Sequence, residues 1–209
     1  MKYLFASLLW FYCLRVQAQV YLLPDFTWSV ATMKNGGQPV RAAFNYNCLT
    51  QCMEFLEGDD ILQLASIHSI DTLYLDTHKM IPYGTRFLDV LYVSPRFTLL
   101  LDYRRRKVNE GKVGAMGLKT QGTVENIDVS AVGGRPTDSW KKGNQVWKVK
   151  NENTYLYVEK NKMKRFHNEK SLLKLFPHHA GIIRQAFKDN KVRLDQPASV
   201  VELLQSFYP

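Results

Sequence analysis

From residue 26 to residue 103, apolar and polar positions alternate in short runs set apart by turn-forming residues. In 26–32, Phe26, Trp28, Val30 and Thr32 share one face of an extended chain, and Thr27, Ser29 and Ala31 the other. That is the period of two a β-strand imposes. Asn35, Gly36 and Gly37 follow and tolerate the positive φ of a hairpin turn. On the return, Val40, Ala42, Phe44 and Tyr46 alternate with Arg41, Ala43 and Asn45. Runs at 52–56, 61–65, 72–75, 79–83, 87–93 and 97–103 continue the series, with a turn-rich cluster at 57–60. Pro82 and Pro95 cannot donate to a ladder and belong at strand ends, edges or turns. Strands at such intervals predict one antiparallel meander, curled into a sandwich or partial barrel.

Arg104, Arg105, Arg106 and Lys107 close this series. Residues 107–145 then form an irregular excursion with scattered glycines, into which one strand at 124–129 fits. A patternless stretch of this length is a functional loop, an extended excursion or a connector. Short strands return at 146–150, 154–158 and 163–166. The period then changes. Asn168 suits an N-cap before a helix with Leu172, Leu173, Leu175 and Phe176 apolar. Pro177 opens a second helix, burying Ile182, Ile183, Ala186 and Phe187. Pro197 opens a third, with Asp195 as its candidate cap and Val200, Val201, Leu203, Leu204 and Phe207 apolar. None is long enough to be stable alone, so all must pack on the sheet. The expected fold class is α+β: an antiparallel β body at 19–106, the excursion at 107–145, and at 146–209 a C-terminal β-hairpin with about three short helices.

The N-terminus adds a compartment. Met1 and Lys2 give a positive start, 4–14 is apolar, and Val16-Gln17-Ala18 ends in residues a signal peptidase reads. Residues 1–18 are therefore expected to be a secretory signal peptide cut after Ala18, the alternative being a buried N-terminal helix. No later stretch resembles a transmembrane span, so the mature chain is expected in the periplasm or outside the cell. Removing the signal takes away Cys13 and leaves Cys48 and Cys52. An oxidising compartment permits a disulfide between them, and two reduced thiols beside a turn are the alternative. The remaining composition, 45% hydrophobic and 22% charged, excludes a disordered chain.

The run Lys164-Arg165-Phe166-His167-Asn168-Glu169-Lys170-Ser171-Leu172-Leu173-Lys174-Leu175-Phe176-Pro177 resembles the tail of a group of exported proteins of unknown function from Bacteroidota-type bacteria. Asn45-Tyr46-Asn47, Met53-Glu54-Phe55 and Phe87-Leu88-Asp89-Val90-Leu91 are similar to their N-terminal half. These are packing and turn motifs. The resemblance implies export and an α+β fold, and it carries no catalytic residue across.

No metalloprotease helix, nucleophile elbow or phosphate loop is written in the chain, and no cofactor or metal is expected. The formal net charge of +9 directs attention to anionic partners. Lys160, Lys162 and Lys164 recur at period two and would share a strand face, with Arg165 beside them; a solvated edge strand is the alternative. Trp140, Lys141 and Lys142 form a second candidate, an aromatic and basic loop. The leading expectation is a non-catalytic envelope or secreted binding module whose partner is an anionic envelope polymer or another envelope protein, with no nucleic acid. Two other readings remain open. One is an exported hydrolase built on His68 and His78 with Asp71 and Asp76, and the other is a structural subunit of a surface assembly. His178 and His179 point about a hundred degrees apart on a helix and make a poor metal pair.

Overall fold

The computed structural model describes residues 20–113, 119–120 and 145–208. Ten strands form one antiparallel sheet: β1 (Thr27–Met33), β2 (Val40–Asn47), β3 (Cys52–Glu57), β4 (Asp60–Gln63), β5 (Ile70–Leu75), β6 (His78–Tyr83), β7 (Arg86–Val93), β8 (Thr98–Asp102), β12 (Thr154–Glu159) and β13 (Lys162–Phe166). Their spatial order is β13-β12-β8-β7-β6-β5-β1-β2-β3-β4. A smaller sheet joins β9 (Arg105–Val113), β10 (Lys119–Thr120) and β11 (Gln145–Asn151). Three helices follow, α1 (Glu169–Leu175), α2 (Ala180–Lys188) and α3 (Pro197–Gln205). The protein is thus an α+β protein with a β-rich body.

Turn chemistry sets the registers. β12 and β13 are joined by Lys160 and Asn161, both at positive φ (47° and 61°), the geometry a two-residue hairpin needs to match strand twist. Gly58 at φ 61° and Gly84 at φ 60° do the same for β3–β4 and β6–β7. Pro82 pairs with Phe87 of β7, while the β5–β6 ladder has already ended at Leu73 opposite Met80. Its missing N–H therefore costs no ladder bond.

The sheet curls on itself. β3 comes against β7, and the Gln51 side chain in the β2–β3 turn donates to Asp102 of β8 at 2.8 Å. The interior holds Phe44, Tyr46, Met53, Leu73, Leu75, Met80, Phe87, Leu99 and Leu101, each essentially solvent-free. The helices cover the same face at the β8–β12–β13 end. Leu172, Ile183, Val200 and Leu204 lie buried among Tyr155, Tyr157 and Phe166, and Tyr155 stacks on Phe166 with ring centres 5.0 Å apart. α1 starts at Asn168 as expected. The Asn168 side chain accepts from the Ser171 N–H at 2.8 Å, and the Ser171 hydroxyl accepts from the Asn168 N–H at 3.1 Å.

Three expectations are corrected. Arg104–Lys107 does not close the strand series: Arg105 begins β9, which pairs with β11 from Arg105 opposite Asn151 to Lys112 opposite Gln145. Of the excursion at 107–145, the described parts are strand; residues 121–144, including the proposed strand at 124–129, lie outside the described residues. Asp195 does not cap α3, whose N-cap is Gln196 without a side-chain bond. Arg193 takes the Asp195 carboxylate in a two-pronged pair at 3.0 and 2.6 Å instead, and holds it below the usual carboxylate range.

Candidate functional site

The lysine face predicted on β13 is divided by the fold. Lys160 lies in the turn, not on the strand. Lys162 and Lys164 are exposed on the side of β13 that carries buried Phe166. Arg165 falls on the opposite side, where its guanidinium donates to the Tyr83 hydroxyl at 3.3 Å. β13 is an outer strand of the sheet, where lysines discourage pairing with another chain. Trp140, Lys141 and Lys142 lie outside the described residues. Cys48 and Cys52 are both free thiols in this structure. Cys48 is buried, and desolvation pushes its thiol up to about 11. The Cys52 sulfur accepts from the Gln63 amide at 3.1 Å.

The histidine and aspartate residues separate as well. His68 sits in an exposed turn, and the Asp71 carboxylate accepts from the Thr72 hydroxyl at 3.0 Å. His78 turns inward and meets a different partner, Asp89 of β7, with Nδ1 2.6 Å from Oδ2. Asp89 is only 2% exposed, and its Oδ2 also accepts from the Tyr103 hydroxyl at 3.0 Å. The hydrogen bond to Asp89 raises the His78 pKa above its ordinary value against the opposing effect of burial, with further support from the charges of Asp89 and Asp76. Burial and the neighbouring Asp89 drive the Tyr103 hydroxyl pKa up. This is a buried structural pair with a tyrosine donor. The signal for it was one carboxylate, Asp89, inside the otherwise apolar run 87–91. Among the described residues, no group of three or more His, Cys, Asp or Glu side chains is arranged to hold a metal, and no helix is long and apolar enough to cross a membrane. His179, from the adjacent histidine pair, stacks flat on Phe207 with ring centres 4.2 Å apart.

A second buried carboxylate, Asp102, is held by Gln51 at 2.8 Å and by the Arg86 guanidinium at 3.0 Å. Desolvation raises its pKa, and Arg86, Arg165 and Arg104 partly offset the rise. The β9–β11 ribbon begins just beyond. Its register sets Arg106 opposite Lys150 and Val108 opposite Lys148, so three cationic side chains share one face. Like charges directly opposite each other are unfavourable. Glu152 answers part of that cost, reaching Arg106 at 2.7 Å.

A concave feature lies elsewhere among the described residues. Ser94, Pro95, Arg96 and Phe97 form the β7–β8 turn, held by the Ser94 hydroxyl accepting from the Phe97 N–H at 3.1 Å and donating to the Phe97 carbonyl at 3.0 Å. Together with Tyr92, Gln205 and Tyr208 this turn lines a cavity of about 430 Å³. Phe97 is the floor. It lies 5.2 Å from Tyr157, 5.1 Å from Tyr92 and 5.5 Å from Tyr208, centre to centre. The Tyr157 and Tyr208 hydroxyls are hydrogen-bonded at 2.5 Å, fixing the Tyr208 ring as a wall. Arg96 stands over that ring at 5.6 Å, a cation–π contact that leaves its guanidinium at the rim. Sequence reasoning passed over these residues because a Ser-Pro turn and a C-terminal tyrosine carry no spacing that brings them together.

The chain matches none of the protein-family models, curated proteins or solved structures with which it was compared.

Proposed function

We propose that the protein is an exported, non-catalytic binding module that holds a small ring compound bearing an anionic group in the cavity between the β7–β8 turn and the end of α3. The observation that carries this reading is the cavity itself. Its volume of about 430 Å³ falls in the range of small-molecule sites, and its lining combines three aromatic rings with the polar groups of Ser94, Arg96 and Gln205. Tyr92 is half-buried and offers ring surface, with the buried Phe97 ring packed behind it. Arg96 offers a fork that matches a carboxylate or phosphate. A terminal acidic unit of an envelope polymer has this chemistry. Export rests on the pattern of residues 1–18, and N-terminal sequencing of protein from the producing cell tests it by finding Gln19 first.

The hydrolase alternative has less support. His78 points at Asp89 and Tyr103 in the interior, while His68 lies in a separate exposed turn. The cavity is tested by NMR titration of the mature protein with galacturonate and, as the neutral control, galactose. Galacturonate is expected to shift the amide signals of Ser94, Arg96 and Phe97, and Arg96→Gln to abolish the effect without changing the melting temperature. Equal shifts with both sugars, or none with either, would refute the assignment.

A further inference from the structure

β1 is a central strand, with β5 on one side and β2 on the other. On the face turned away from the core it carries Trp28, which is 79% exposed. Leaving an indole open in the middle of a sheet forgoes the stabilisation that its burial would give. Its surroundings follow from the register. Tyr74 of β5 is opposite Val30 of β1, Val30 is opposite Arg41 of β2, and Lys79 of β6 is opposite Tyr74. Lys79, Tyr74, Val30 and Arg41 therefore form one row across four strands. Tyr74 is 48% exposed, and both cations are exposed. Trp28 lies in the next row along β1, diagonal to Tyr74. With strands about 4.8 Å apart, the row is roughly 14 Å long, with a positive charge at each end, Tyr74 and Val30 in its middle and the Trp28 ring alongside.

We propose that this face binds an extended acidic polysaccharide lying across the strands. The aromatic rings accept the apolar C–H faces of sugar rings, and Arg41 and Lys79 take carboxylates at either end. The exposed carboxylates of Asp71 and Asp76 bracket Tyr74 along β5. They oppose an anion running with the strands and accept hydrogen bonds from sugar hydroxyls. Single-stranded DNA, with a phosphate at every nucleotide and no free sugar hydroxyl, has nothing to donate to these acceptors and meets repulsion there. A polyuronate is likewise charged at every unit, but each sugar carries free hydroxyls that donate to the two carboxylates. This surface is separate from the Phe97 cavity and does not depend on it.

The test uses the mature full chain, with polygalacturonate as the polymer, dextran as its neutral counterpart and oligo-dT as the polyanion without sugar hydroxyls in reach. Binding is followed by tryptophan fluorescence and affinity electrophoresis at low and physiological salt. Wild type is expected to bind polygalacturonate and to hold it less tightly at the higher salt. Trp28→Ala should weaken binding at least tenfold with an unchanged melting temperature. The Arg41→Gln, Lys79→Gln pair should weaken it severalfold and remove most of the salt dependence. Arg96→Gln can remove only the contact of a chain end in the Phe97 cavity, and should change polymer affinity less than twofold. The inference is overturned if wild type does not bind polygalacturonate, if dextran or oligo-dT binds as well, if Trp28→Ala binds normally or lowers the melting temperature, or if Arg96→Gln is the variant that abolishes binding. The last result would leave the cavity as the polymer's site.

Discussion

Replacing Asp89 with asparagine keeps its shape and removes its charge. In the folded protein that carboxylate is enclosed and takes two donors on one oxygen, His78 Nδ1 at 2.6 Å and the Tyr103 hydroxyl at 3.0 Å. Asparagine can still accept one of them, but its NH₂ then faces donors. Hydrogen bonds to a charged group contribute about 1.5–3 kcal/mol each, and breaking a buried ion pair costs about 3–5 kcal/mol. A loss of about 3 kcal/mol is expected at pH 5.5, where His78 is protonated. With a urea slope of about 1–3 kcal/mol per molar, the midpoint should fall by about 1–3 M. The pH dependence has a definite sign. The folded His78 pKa lies above its ordinary value, so between the two values the folded state holds more protons than the unfolded state. The stabilisation is complete below about pH 6.5 and is lost as pH rises through the folded value. Urea unfolding of wild type and Asp89→Asn at pH 5.5 and 8.5 isolates the effect, because groups shared by both proteins cancel in the difference. The variant should lose clearly more at pH 5.5 than at 8.5. An equal loss at both, or a larger loss at 8.5, would refute the assignment of a protonated His78 to this pair.

Leu204→Ala empties a solvent-free position of α3 and should cost about 2–5 kcal/mol in urea unfolding. Asn168→Ala removes the cap of α1 and should lower stability by about 1 kcal/mol in the same assay. Cys48 is buried with its thiol pushed up to about 11, so iodoacetamide at pH 7.5 should label Cys52 well before Cys48 under native conditions, as read by peptide mass spectrometry. Lys162→Gln with Lys164→Gln changes two exposed side chains on the sheet's outer strand. Thermal melting should show a shift within about 0.5 kcal/mol, with greater aggregation in a light-scattering assay.

The fold was legible where local chemistry and packing agree. Lys160-Asn161 and Gly58 sit at turns that the sequence marks, and Asn168 caps the helix its spacing announces. β1 shows where this legibility stops. Its period of two was readable, but the side that turns inward carries Ser29 and Ala31, while Trp28 and Val30 turn outward. Alternation fixes which residues share a face and is silent on which face is covered. Here Phe44, Leu73 and Met53 fill the interior, so β1 contributes a small residue there. Asn45 is the converse case. It alternates as a solvent-facing residue, yet it is buried because the segment before β1 folds across it, with Asn45 Nδ2 donating to the Leu23 and Asp25 carbonyls. No local pattern reports a cover supplied from twenty residues away.

The same limit explains the sites. Lys160, Lys162, Lys164 and Arg165 stood out because they are neighbours in sequence, and the strand then sent Arg165 to the opposite side from Lys162 and Lys164. The groupings the fold creates draw on distant segments. Asp89 meets His78 and Tyr103 across three strands. Arg96 and Phe97 meet Tyr208 from the far end of the chain. Lys79, Tyr74 and Arg41 align only through two ladders with β1 and one with β6. Two kinds of residue nevertheless carried a readable sign. Asp89 was a charge inside an apolar run, which a folded chain tolerates only with a partner. Trp28 was a bulky ring on the strand face that proved open, and its exposure beside Tyr74 is the observation on which the proposed polysaccharide face rests.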